Sequence, residues 1–185
     1  MSMAGRVAAF AAGATPARLA LALAAVVALH LLAIVIHAPI EAALRTGPCE
    51  GLDCLRPLRP DTRHGGYDAA AFRAYLGTIG TMRGRALLGV AADLPLVAAV
   101  ACTLLLAAGL ASRGMPLSER TQRLILAMPF VYAGADLAEN ALLALTFSGL
   151  GDGSVLLPWA SALKFGAAVA SGAVSFVIGL WRAVA

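Results

Sequence analysis

Residues 124–147 read LILAMPFVYAGADLAENALLALTF, and the reading of this stretch decides the fold. As a helix it is long enough to cross the hydrocarbon of a bilayer, which takes about 20 apolar residues. Yet it holds Asp136 and Glu139. At helical pitch Asp136, Glu139 and Asn140 stand at i, i+3 and i+4 and share one face, which Tyr132 and Leu143 extend. A charged side chain at the bilayer centre costs about 2.5–3.5 kcal/mol on insertion scales. That face therefore has to meet a partner inside the protein.

Three more stretches of the same kind flank it. The spans are expected at about 19–40, 86–112, 124–147 and 155–181. The second contains Asp93 and the fourth contains Lys164. The chain as a whole is 61% hydrophobic and 13% charged, against about 45–50% and 25% for soluble domains. A soluble core cannot absorb that excess, whereas lipid can. Helices are required because lipid leaves no partner for exposed backbone groups, and the alternation of an outer-membrane barrel is absent. The expected fold is thus all-α: one membrane domain over 1–185, a four-helix transmembrane bundle. A long extramembrane loop with a short helix, about 41–85, joins the first two helices. The first span is too long for the apolar core of a signal peptide and is read as a retained helix.

Of the fourteen basic residues one, Lys164, is a lysine, and the formal net charge is +4. The arginines flank apolar stretches, as membrane topology requires, and show no basic patch interleaved with aromatics, so no nucleic acid is expected as a partner. Arg113, Arg120 and Arg123 mark the second connection, while the third, Ser148 to Ser154, carries no basic residue. That asymmetry places the second connection and both termini in the cytoplasm. The first connection, with seven arginines from Arg45 to Arg85, opposes this, but long loops translocate more tolerantly.

Cys49 and Cys54 lie in that first connection and would form a local disulfide in an oxidising compartment. A thiol redox centre would need a second cysteine pair, and only Cys102 remains. His30 and His37 share a face of the first helix, but a bis-His haem needs a ligand on another helix. The other histidine, His64, is in a loop. Neither a cofactor nor a metal is expected.

Depth ties the ionisable residues together. Measured from the end of the first and third connections, Asp93 lies ~10 Å deep, Glu139 ~12 Å, Lys164 ~13 Å, His30 ~15 Å and Asp136 ~16 Å at 1.5 Å per residue. Four segments thus bring polar groups to one slab. Asp93, Asp136, Glu139 and Lys164 form the candidate catalytic cluster, and His30, Tyr132, Asn140 and Ser161 the candidate ligand-binding groups around it. On the fourth helix Ser161, Lys164, Ala168, Ser171 and Ser175 make a small, polar stripe suited to close packing.

The run Pro129-x6-Asp136-x2-Glu139-Asn140 and the later Ser161-x2-Lys164-Phe165 resemble an uncharacterised family of small bacterial four-helix membrane proteins. Its members pair a D-x-x-E-N helix with an S/T-x-x-K segment. Leu76-Gly77, Arg83, Asp93 and Pro95 echo a further pattern of that family, with Pro95 one residue nearer the aspartate. The resemblance covers about Gly66 to Phe165 and implies a shared polar site without an activity. Three carboxyls beside one ammonium fit three roles. These are binding of, or acid–base chemistry on, a lipophilic small molecule; proton- or cation-coupled transport; and a purely structural interhelical network. The lipid bilayer is the expected partner. Transport by so short a chain without an internal repeat would call for a homo-oligomer.

Overall fold

The structure, a computed structural model, describes residues 2–45 and 69–184. The described residues are helical, with no strand. The elements are α1 (Met3–Ala12), α2 (Pro16–Leu44), α3 (Ala69–Ile79) with a 3-10 turn Gly80–Met82, α4 (Arg83–Ser112), α5 (Glu119–Phe147) and α6 (Leu157–Val184). Cys49, Cys54 and His64 fall outside the described residues, as does most of the first connection.

The helix ends follow local chemistry. Thr15 accepts from the Arg18 N–H and Ser118 from the Thr121 N–H, each satisfying an orphan donor of a first turn. Pro16 opens α2, where its missing N–H costs nothing. At the end of α5, Gly149 adopts φ +76°. Its N–H donates to the Thr146 carbonyl at 3.1 Å, and the Leu150 N–H donates to the Leu145 carbonyl at 3.1 Å. This is a Schellman cap, and it stops the helix at the edge of its apolar run.

α4 is the hub, packing against α1, α2, α5 and α6, while α5 and α6 also pack on each other. On α5 the buried positions include Ile125, Pro129, Tyr132, Asp136, Glu139, Leu143 and Thr146, a seam of alternating four- and three-residue steps, with Ala135, Asn140 and Phe147 beside it. On α6 the buried positions are Leu157, Ser161, Lys164, Ala167, Ser171, Ser175 and Ile178. Such a seam is that of left-handed helix packing. α1 was not expected. Ser2 caps it by accepting from the Gly5 N–H, and Ala11 lies on Gly109 of α4, where a Cβ would overlap the Ala11 carbonyl.

Three elements are long and apolar enough to cross a membrane: α2, the run Tyr75–Ser112 that ends in α4, and α6. α5 is as long as α2 but does not qualify by composition. The expected third span, 124–147, is therefore the one helix whose apolar character is diluted, by Glu119, Arg120 and Arg123 at its start and by Asp136 and Glu139 within. The outer surface is apolar, with Leu21, Val35, Val169 and Phe176 among many exposed large side chains. Asp136, Glu139 and Lys164 are buried instead, an arrangement rare in soluble proteins.

Candidate functional site

Three helices build a polar layer. α5 contributes Tyr132, Asp136, Glu139 and Asn140, all buried. α6 contributes Ser161 and Lys164, also buried, and α4 contributes the half-buried Asp93. Lys164 Nζ donates to Glu139 Oε2, and Ser161 Oγ donates to Glu139 Oε1. Lys164 Nζ also stands 3.3 Å from Asp136 Oδ1, an ion pair without the angle of a hydrogen bond. The other Asp136 oxygen accepts from the Tyr132 hydroxyl at 2.7 Å. Asn140 Nδ2 donates to Asp93 Oδ2 at 2.7 Å, which links α5 to α4. The lone lysine thus bridges two carboxylates of the facing helix, and the amide of Asn140 serves the third acid.

Helix geometry explains why these groups meet. The i, i+3, i+4 spacing puts the α5 acids on the seam, and the three-residue step from Ser161 to Lys164 puts hydroxyl and ammonium one above the other. Both then reach the same carboxylate. The bridge spans 25 residues of sequence and crosses the turn between α5 and α6.

The layer lies between apolar zones. Toward the first and third connections, Ile40, Phe72, Tyr75, Ala86, Leu143, Phe147 and Leu157 pack together. Toward the second connection, Val97 and Ala167 pack against Tyr132, and beyond them Ala108, Ile125 and Ile178 form a further cluster. Two open grooves, of about 530 and 300 Å³, lie nearer the second connection and are lined by none of the layer's residues. At the other end Asp152 of the third connection is fully exposed. The Ser154 hydroxyl, and the Ser154 N–H donating to Oδ1 at 2.9 Å, hold its carboxyl below the usual range. Arg73 of α3 adds a weaker pull, so α3 and the third connection share one end of the molecule.

His30 departs from the sequence expectation. It is exposed on the outside of α2 and does not join the layer. The reason is rotational. α2 turns Leu19, Ala22, Val26, Leu29, Ala33, Ile36 and Ile40 toward the protein, again in steps of three and four, and His30 sits one position off that seam. Depth alone says nothing about direction. His37 does reach α4, where its imidazole fills the place a Cβ on Gly89 would take. Gly89 lies one turn before Asp93, and the glycine at that spacing was the signal for this contact. Cys102 faces outward on α4. Among the described residues, no group of three His, Cys, Asp or Glu side chains is arranged to hold a metal.

Compared with known proteins, the chain matches no family model, no curated protein and no solved structure.

Proposed function

We propose that α5 crosses the membrane together with α2, α4 and α6, and that the polar layer is the interhelical network that holds it there. The observation that carries this reading is the placement of Lys164 on both Glu139 and Asp136. A helix with two buried acids is poorly suited to lipid by itself. Paired with α6 along one seam, its charges are covered and its remaining faces are apolar. The apolar zones on both sides of the layer favour this role over a conducting path.

The two tryptophans of the chain fit the same frame. Trp159 and Trp181 are both exposed and stand at opposite ends of α6. Their separation is ~33 Å at 1.5 Å per residue, close to the hydrocarbon thickness of about 30 Å. Tryptophan is enriched at both interfaces of a membrane. Arg6, Arg18, Arg113, Arg120, Arg123 and Arg182 gather at the end of the second connection, which supports placing that end and both termini in the cytoplasm. A bacterial inner membrane is the matching location.

A second reading rests on the same carboxylate. Ser161 and Lys164 converge on Glu139, an arrangement that would also suit binding or acid–base work on a lipophilic molecule.

Topology is tested with single cysteines in a background where Cys49, Cys54 and Cys102 are serine. Thiols at Arg63 and Asp152 should label from one side of the membrane, and a thiol at Gly114 from the other. If 114 and 152 label from the same side, α5 does not cross. A chain stopped at Gly153, before Lys164, should leave α5 uninserted, with the 114 and 152 thiols on one side. Normal insertion of that truncated chain would remove Lys164 from the account.

A further inference from the structure

We propose that the groove between α2, α4 and α6 binds one anionic phospholipid, with its acyl chain along α6 and its phosphate on Arg182. The inference rests on the membrane reading above and goes beyond it. The groove holds about 530 Å³, within the size range of ligand sites. Its walls are Leu19 of α2, Ala107 and Ala111 of α4, and Gly172, Phe176 and Gly179 of α6. The single ionic lining residue is Arg182, near the α6 C-terminus. An apolar trough closed by a cation matches a molecule with an apolar tail and an anionic head.

Two further observations point to that occupant. Arg182 Nη1 donates to the Leu110 carbonyl at 2.7 Å, which fixes the guanidinium at the mouth of the groove. Its other donors remain in a fork suited to phosphate oxygens. The same end carries Arg18 and Arg113, each also anchored to backbone carbonyls, of Gly13 for Arg18 and of Ala12 and Ala14 for Arg113. Basic pockets between membrane helices on the cytoplasmic side are the places where anionic head groups bind. Along the floor, Gly172 and Gly179 are seven residues apart and share a face of α6. A Cβ added at either would meet nothing within 4 Å. Glycine is less favourable than alanine inside a helix, and at these two positions no protein atom uses the room it leaves.

The test uses the full chain, purified in mild detergent and stripped of lipid. It is offered equal amounts of dioleoyl phosphatidylglycerol and dioleoyl phosphatidylcholine, and bound lipid is read by native mass spectrometry. One bound phosphatidylglycerol is expected, favoured over phosphatidylcholine about fivefold, the worth of one basic residue beside an anionic lipid. Arg182→Gln should bring the ratio to about one. Gly179→Leu should abolish retention of either lipid without lowering the thermal midpoint in detergent. If that variant fails to fold, Gly172→Leu makes the same test from the other end of the floor. Equal retention of the two lipids by the unaltered protein would overturn the proposal. So would an undiminished ratio in Arg182→Gln, or displacement of the lipid by millimolar inorganic phosphate. A chain recovered from the aqueous fraction without detergent would instead defeat the membrane reading, so the two failures are distinct.

Discussion

Lys164→Met should destabilise the protein by about 3–5 kcal/mol, the usual loss when one partner of a buried ion pair is removed. Glu139 would lose its ammonium and keep the Ser161 hydroxyl on one oxygen, and Asp136 would keep the Tyr132 hydroxyl. Unfolding in mixed micelles reads the loss. Combining Lys164→Met with Glu139→Gln should recover part of the loss, because the neutral pair leaves fewer uncompensated charges. Strict additivity of the two changes would mean the side chains are not partners. The double variant also separates the two roles considered for the layer. A structural network tolerates it once stability is regained, whereas a site of chemistry on Glu139 does not.

Gly109→Leu is the second large effect expected, of about 1–3 kcal/mol from overpacking. A Cβ at Gly109 would fall on the Ala11 carbonyl of α1, and no rotamer of a larger residue avoids that overlap. The contact must open, and Arg113 then loses the Ala12 and Ala14 carbonyls to which it donates. The readout is proteolysis or hydrogen exchange at residues 3–12, which should rise sharply while α5 and α6 stay protected. Gly134→Ala is the control. Nothing lies within 4 Å of a Cβ at that position, so the change should stabilise α5 by about 0.5–1 kcal/mol. If α1 stayed protected in Gly109→Leu, the packing of α1 on α4 described above would be wrong.

The polar layer was legible in the sequence because cost forces convergence. Asp93, Asp136, Glu139 and Lys164 lie in apolar stretches where each is expensive alone, and lysine has no rival cation at that depth. Helical spacing then put Asn140, Tyr132 and Ser161 on the right faces. The long helices begin and end close to the expected bounds for the same reason, since an apolar run and its flanking Gly, Ser and Arg are local signals. His30 was not legible, because the seam of α2 depends on which neighbour it packs against. α1 was missed because it is a short Ala-rich stretch with one arginine, Arg6, and it is held in place by packing on α4. The division of labour among the acids was also invisible. Nothing in the spacing distinguishes an aspartate that takes the lysine from one that takes an amide.

The bridge between Glu139 and Lys164 has a consequence in time. A chain is made from its N-terminus, and Lys164 follows Glu139 by 25 residues. At ordinary rates of synthesis the acids of α5 therefore exist for about 1–5 s before their base has been made. During that interval α5 already has the Asp93–Asn140 contact to an earlier helix. The ribosome thus delivers the most polar helix before the lysine that pairs with its acids. The short turn at Gly149 to Ser154, which returns the chain at once, keeps that wait brief. If α5 crosses the membrane as proposed, α5 and α6 would enter it as one hairpin, with the charge of each settled by the other on the way in.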